Sequence, residues 1–408
     1  MALGIRHLRA FLAVAARGSA NKAAASLLRA QSAITRSIHE LERAFGVPLF
    51  ERRAQGMLLT EYGRVLAARA RVAQAEMERA RREVVACVGP KVRIRNAPVF
   101  ALFVPERRLR AFVALTEQHH MPSVAESLGV TQSAVSMAVR SFEESIGTPL
   151  FDRSPKGMLP TPAGAILALR VKRALAELRI ASAEIAALSG VTLGTVTVGA
   201  LPLARTRQLP VAIARVVAAH PGLRVATVEG SFEVLAADLR AGDIDFILGA
   251  LRPADYATDL AGESLLDDEL AVVARRGHPW ATRRQLGFRD LARARWVLPR
   301  AGAPSRDLLE RVLVARGLPP PDVVVETSDL AVLRGVLLES DLLTAISPKQ
   351  LSYEFDARLL AVLPIPLSET RRRIGITRRT DSVASPGAQL LIDALRVLGP
   401  TLMDARRR

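Results

Sequence analysis

Cysteine is almost missing: Cys87 stands alone in 408 residues, so no disulfide can close within the chain. Histidine is scarce too, six in all, and a structural zinc site would have to draw nearly every ligand from His and Asp. His119 and His120 are adjacent, but neighbours on a helix face different directions and nothing nearby completes a ligand set, so neither a metal centre nor a cofactor is expected. No charged segment followed by an apolar run opens the chain, because Arg6, Arg9 and Arg17 interrupt it; residence in the cytoplasm is the expectation. The stretch Ile185 to Ala204 is rich in apolar residues but is broken by Gly190, Gly194, Gly199 and Pro202. Thr192, Thr195 and Thr197 give it strand character, so it reads as a helix end, a turn and a buried strand rather than a membrane crossing. Also lacking are a Gly-x-Ser-x-Gly elbow, a Walker lysine loop and paired His ligands, which argues against an enzyme.

Half of the residues are apolar, which excludes a disordered chain, and 408 residues make two to four domains at roughly 100–200 residues each. The net charge of +17 is unevenly placed. Residues 1–190 hold 28 basic against 15 acidic side chains; residues 191–408 hold 29 against 25. The front half is therefore matched to a polyanion, since cations facing phosphates gain by releasing condensed counterions. The rear half calls for a different partner.

The segment from Leu8 to Gly63 recurs without a gap 101 positions later. Leu8-Arg9-Ala10-Phe11 returns as Leu109-Arg110-Ala111-Phe112, Gln31-Ser32-Ala33 as Gln132-Ser133-Ala134, and Gly46-Val47-Pro48-Leu49-Phe50 as Gly147-Thr148-Pro149-Leu150-Phe151. A solenoid needs about three or more stacked copies, so two copies read as two small domains with separate cores. In the first, Leu8, Phe11, Leu12 and Ala15 recur at helical spacing, Ala23-Ala24-Leu27 form a second short apolar face, and Ile34, Ile38, Leu41 and Phe45 a third. Two extended runs around Gln55-Gly56 follow as a hairpin. Three helices and a hairpin in that order have the layout of a winged helix-turn-helix, whose second motif helix lays its first residues on base edges in the major groove. Gln31, Ser32, Thr35 and Arg36 are so placed, with Arg52 and Arg53 on the wing. Thr131, Gln132, Ser133, Ser136 and Arg140, with wing residues Arg153 and Lys156, are the second set.

The run Ala23-Ala24, Gln31-Ser32-Ala33-Ile34-Thr35, Leu41-Glu42, Gly46, Leu49-Phe50, Arg52, Thr60 and Gly63 resembles the DNA-binding domain of LysR-type transcriptional regulators. Thr131-Gln132-Ser133-Ala134-Val135-Ser136, Phe142-Glu143, Gly147, Leu150-Phe151, Arg153, Thr161 and Gly164 resemble it again, which departs from the family plan of one copy. The copies differ. Leu28-Arg29-Ala30 lacks both the glycine that ends a helix and the hydroxyl that caps the next, whereas Gly129 and Thr131 supply them. Residues 1–101 hold 18 basic and 7 acidic side chains, residues 102–190 only 10 and 8, so the first copy should carry most of the phosphate affinity.

Each copy is followed by a long helical stripe: Leu66, Ala73, Met77, Ala80, Val84 and Val88, then Leu167, Val171, Leu175, Leu178, Ile185 and Leu188. The resemblance implies that such helices pair antiparallel. Two arrangements stay open at this point: pairing within one chain, making a pseudo-dimer that covers two half-sites, or ordinary dimerisation with four winged units.

From Thr195 onward strands alternate with helices, which implies parallel sheets with ligand loops at the strand ends. Two sets of such units imply two lobes, with Leu270–Val273 and Ile374–Thr377 as crossovers. The loops collect Leu201, Pro202, Ser231, Phe232, Arg252, Arg300, Ser305, Thr327, Ser328 and Ser347 as candidate ligand contacts, with Arg252 and Arg300 suited to a carboxylate. This half resembles the family's effector-binding domain, which is similar to periplasmic binding proteins. Gly199 to Arg207, Glu229-Gly230 and Gly249 to Arg252 look most like the subgroup of the galactose-binding-protein regulator and relatives that sense aromatic acids.

The expected architecture is thus two α-rich winged helix-turn-helix domains with linker helices and a two-lobed α/β effector domain. Its divisions are 1–63, a linker helix 64–88, a connecting loop 89–105, 106–164, a second linker helix 165–190, and 191–408. Lobe I takes 191–270 with 376–408, and lobe II 271–375. The expected partners are double-stranded DNA, a sugar or aromatic or other organic acid, a second copy of the chain and RNA polymerase, with no membrane. The competing reading is a solute-binding receptor whose front units serve protein interaction.

Overall fold

A computed structural model describes residues 5–53, 56–89, 97–283 and 285–404. The chain divides into two compact units, essentially Met1–Gly194 and the remainder. In the first, α1 (Leu8–Arg17), α2 (Ala20–Leu27) and α3 (Gln31–Phe45) are followed by the hairpin β1 (Phe50–Arg53) and β2 (Gly56–Leu59), then by the long α4 (Glu61–Val88). The same series returns as α5 (Glu106–Gln118), α6 (Met121–Ser127), α7 (Gln132–Ile146), β3 (Phe151–Ser154), β4 (Gly157–Pro160) and α8 (Pro162–Leu188).

The repeat is physical as well as textual. Phe11 packs on Phe50 with ring centroids 5.3 Å apart, and Phe112 on Phe151 at 5.5 Å. Glu42 accepts the Leu49 backbone N–H at 2.9 Å, and Glu143 that of Leu150 at 2.8 Å. Each hairpin docks on the end of its first helix, Met57 N donating to Gly18 O and Met158 N to His119 O, both at 2.8 Å. The approach is so close that a Cβ at Gly56 or Gly157 would lie 2.4 or 2.3 Å from those carbonyl oxygens. Glycine is required there by contact as well as by its positive φ.

The long helices pack on each other within the one chain. Leu66, Ala70, Ala73, Met77, Ala80 and Val84 of α4 share a core with Leu167, Val171, Ala174, Leu178, Ala181 and Ile185 of α8. Around that seam Arg69 donates to Glu184 (2.9 Å from Nε) and to Glu177 (3.2 Å). Arg170 donates to Glu83 (2.9 Å from Nε) and to Glu76 (2.8 Å). Every residue of the second set is the first set's equivalent shifted by 101, so the contact is self-complementary in the manner of a twofold dimer interface. Hydrogen bonding to Glu184 leads in raising the Arg69 pKa above its usual value.

The connecting segment expected at 89–105 is packed where it is described. Ala97, Val99, Phe100, Leu102 and Val104 are buried in the same core, and Pro98–Ala101 forms a turn of 3₁₀ helix. The apolar run Val99 to Val104 carries that signal. Residues 90–96 lie outside the described residues.

Among the described residues the second unit has three sheets. Its elements are β5 (Gly194–Ala200), α9 (Gln208–Ala219), β6 (Leu223–Glu229), α10 (Phe232–Ala241), β7 (Phe246–Ala250), β8 (Leu260–Asp268), β9 (Ala271–Arg275), α11 (Phe288–Leu291), β10 (Arg295–Leu298) and α12 (Pro304–Val314). They continue as β11 (Asp322–Glu326), α13 (Leu330–Glu339), β12 (Thr344–Ile346), α14 (Ser352–Asp356), β13 (Leu360–Val362), β14 (Arg372–Arg379) and α15 (Pro386–Asp404). The first sheet has the order β6-β5-β7-β14-β8. In the second lobe β10 pairs β11 and β9 lies between β12 and β13, with a bridge from Trp296 to Leu343 joining the two groups.

The alternation of strands and helices implied parallel sheets; β10 and β11 do pair in parallel, but the other two sheets are not purely parallel. β5 runs parallel to β7, whereas β14 is antiparallel to both β7 and β8 because it brings the chain back from the other lobe. In the second lobe β9 is antiparallel to both its neighbours. For the same reason Ile374–Thr377 is not a crossover: it lies inside β14 in the first sheet, so lobe II ends before Arg372 rather than at 375. The crossings lie just before β9 and β14, where Leu270 N donates to Thr370 Oγ1 at 2.9 Å. Among the described residues, no helix is long and apolar enough to cross a membrane.

Candidate nucleic-acid interface and effector cavity

The inner faces of α3 and α7 are taken by Ile34, Ile38 and Leu41 and by Val135, Val139 and Phe142, which turns the polar positions outward. Gln31, Ser32 and Arg36 on α3, and Gln132, Ser133 and Arg140 on α7, are exposed; Thr35 and Ser136 are half-buried. Arg52, Arg153 and Lys156 are exposed on the hairpins. Arg53 is exposed as well, but Glu51 holds its guanidinium at 2.8 Å. Thr131 commits its hydroxyl to the helix start, accepting from Ala134 N at 3.2 Å and lying 2.9 Å from Ser133 Oγ. Two further outward residues escaped the sequence reading, His39 and the 63% exposed Met137. Applying the 101-residue shift to Arg36 would have found Met137.

The two helix starts differ as their residues require. Leu28 is forced to φ 51° and is 95% exposed, and Ala30 offers no side-chain cap; the equivalent Gly129 takes φ 60° without a Cβ, and Thr131 caps. The reverse exchange occurs one turn earlier, where Gly18 has φ 65° and His119 φ 57°. Leu28→Gly combined with Ala30→Thr should therefore stabilise the first unit by about 1–2 kcal/mol, through relief of left-handed strain and a new cap. Slower amide exchange over α2 and α3 would register the gain; unchanged exchange would mean that neither effect operates.

In the second unit the ten candidate ligand contacts divide. Phe232 is a core residue, 3% exposed, its ring 5.4 Å from Tyr256 in an edge contact. Arg252 lies 4.4 Å above that ring and pairs with Glu233 at 3.2 Å, so its charge is already answered within the lobe. Glu233's pKa is lowered chiefly by its own backbone amide, with further hydrogen bonds from Arg252 and Ser231. Ser347 is fully buried and donates to Asp268 at 2.6 Å. Asp268 also accepts from Lys349 and Arg372, so this serine is engaged in a carboxylate knot beside the crossovers. Pro202, Ser231, Arg300 and Ser328 are exposed, while Leu201, Ser305 and Thr327 are half-buried. Thr327 Oγ1 accepts from Asp329 N and Ser231 Oγ from Val234 N, both as turn and cap bonds.

None of those ten residues lines the cavity of about 1000 Å³ in this unit. That cavity opens beside the crossovers and is walled by Leu203, Gln208, Leu266, Phe355 and Ile365, with the carboxylates Asp267, Asp268, Glu269 and Asp356 as well as the cations Arg207, Lys349 and Arg371 around it. Its walls come from the ends of helices, from β8 and from the crossing segments, not from the ends of parallel strands.

A family model described as a LysR substrate binding domain matches residues 189–398, and one for a bacterial regulatory helix-turn-helix protein of the LysR family matches twice, at 5–64 and 107–165. The HTH-type transcriptional regulator GalR of Pseudomonas putida is 46% identical over 392 residues, which is 96% of each chain. The chain belongs to the LysR family.

As a LysR-family member it is a DNA-binding transcriptional regulator with an effector-binding domain; its relatives are named as regulators, not as enzymes or receptors. PcaQ of Agrobacterium fabrum is 29% identical over 300 residues, 96% of its own length but 74% of this chain, leaving about a quarter of this LysR-family chain unmatched. The GalR match, by contrast, spans the extra length. The structure of a full-length OxyR variant from Pseudomonas aeruginosa shares the fold with a TM-score of 0.53 at 22% identity, covering 71% of this chain and 97% of its own.

Proposed function

We propose that both repeated units are winged helix-turn-helix domains, at 1–63 and 106–164, and that one chain grips two half-sites on DNA. The self-complementary ion pairs between α4 and α8 carry this reading, because they place inside one polypeptide the contact that two copies of a chain would otherwise make. An antiparallel pair sets the two units at opposite ends, and α4 alone, at 28 residues, is about 42 Å long at 1.5 Å per residue. That is of the order of one turn of duplex DNA, about 34–36 Å, which is the spacing that paired reading helices need. Gln31, Ser32, Thr35, Arg36, Gln132, Ser133, Ser136 and Arg140 face bases in this reading, and Arg52, Arg153 and Lys156 face phosphates.

Residues 191–408 form the effector domain, and the cavity beside the crossovers has the volume of a small-molecule site, about 300–1,000 Å³. A sugar or organic acid bound there would act on the angle between the lobes. Further copies of the chain, joined through these domains, and RNA polymerase complete the set of partners, in the cytoplasm. Sedimentation of residues 1–190 tests the central claim: a monomer that still protects two half-sites is expected. An obligate dimer would return the linker helices to pairing between chains.

A further inference from the structure

We propose that the chain reads an asymmetric operator, with guanine selected by Arg36 in one half and thymine selected by Met137 at the equivalent step of the other. The proposal rests on the DNA-reading assignment above and adds the identity of the bases. A homodimer presents the same side chains to both half-sites, which is why such proteins read inverted repeats. Here the paired readers are covalently joined and unequal. Gln31 and Ser32 return as Gln132 and Ser133, so the first turn of each helix offers the same groups. The next outward turn does not: Arg36 becomes Met137, Thr35 becomes Ser136, and His39 becomes Arg140.

Met137 is 63% exposed on the face that carries Ser133 and Arg140, residues four before and three after it. An apolar side chain in that position has its best counterpart in the major groove in the C5 methyl of thymine, the bulkiest apolar group on any base edge there. Arginine's forked donors match the O6 and N7 acceptors of guanine, and methionine has no donor with which to imitate them. The cation of the second reader has moved one helical step onward, to Arg140, where the first unit has His39. The two half-sites therefore differ at two steps, and the chain must bind its site in one orientation.

Selection from a randomised duplex library with the full chain reads this directly. Two dissimilar half-sites in fixed order are expected; enrichment of an inverted repeat of one motif overturns the proposal. Replacing the selected thymine by deoxyuridine removes only the methyl, and should weaken the native chain about four-fold, the worth of one buried methyl-sized contact. The Met137→Ala variant should be indifferent to that replacement; equal sensitivity in both proteins also overturns it. Met137→Arg should shift the second half-site toward guanine, while Arg36→Met should cost the first half-site roughly ten-fold or more in preference for guanine. Salt-sensitive binding without any sequence enrichment would defeat the proposal while leaving the DNA grip intact. Absence of DNA binding altogether would remove the assignment of the units, and this inference with it.

Discussion

Replacing Arg69 and Arg170 together by methionine should loosen the α4–α8 seam by on the order of 3 kcal/mol or more. The reason is burial. Glu177 is 2% exposed and Glu76 4%, and each loses a charge-assisted hydrogen bond that offset its removal from water. Taking one partner from a buried ion pair commonly costs about 3–5 kcal/mol, since the remaining charge cannot recover its hydration. The low end of that range applies here, because Arg79 still reaches Glu76 at 2.7 Å. Amide exchange over both helices in the intact chain should then quicken about a hundred-fold, if exchange there follows opening of the seam. Arg69→Met should carry the larger share of the effect, because Arg79 stays on Glu76 whereas Ile180 stands at the equivalent place beside Glu177. A double variant that exchanged like the native chain would show that these bridges are ornamental, and would remove the main support for an intrachain pair.

The apolar stripes of these helices were legible in sequence, but a stripe says only that a helix needs a partner. In this structure α8 of the same chain fills that place, through contacts such as Arg69 with Glu184, 115 residues apart, which no local pattern encodes. The repeated front units were legible for the opposite reason: Leu8, Phe11, Ile34 and Leu41 announce their helices by spacing, and the shift of 101 announces the second copy. In the rear unit the apolar run Trp296-Val297-Leu298 marks β10, and Leu330, Leu333 and Leu337 at helical spacing mark α13. β8 carries no such mark, because Gly262 and the acidic residues Glu263, Asp267 and Asp268 hide an edge strand that only its neighbour β14 makes regular. Arg252 and Ser347 were legible as polar loop residues, but not as residues whose hydrogen bonds are already taken. Their partners Glu233 and Asp268 come from elsewhere in the fold, and a strand-end loop rich in hydroxyls and arginines looks the same whether its groups are engaged or open to a ligand.

Removing Arg36 and Arg52 together should weaken operator binding by about ten- to a hundred-fold at moderate salt and flatten its salt dependence. Both side chains are exposed. Arg53, beside them, is held by Glu51, so it is the less effective contact and its loss should matter less. Each phosphate neutralised contributes about 0.9 to the slope of log affinity against log salt, so the Arg36→Ala/Arg52→Ala variant should lower that slope by between about 0.9 and 1.8, depending on whether Arg36 meets a phosphate or a base. The lower figure goes with base reading by Arg36. The equivalent loss in the second unit, Arg140→Ala with Arg153→Ala, should cost less affinity, because residues 102–190 supply a net charge of only +2 against +11 for residues 1–101, and the long-range field that gathers DNA comes from the first. Gel shifts across a salt series separate the cases. If the two double variants fell equally, the charge difference between the units would be irrelevant to affinity, and the grip would be shared evenly despite its unequal residues.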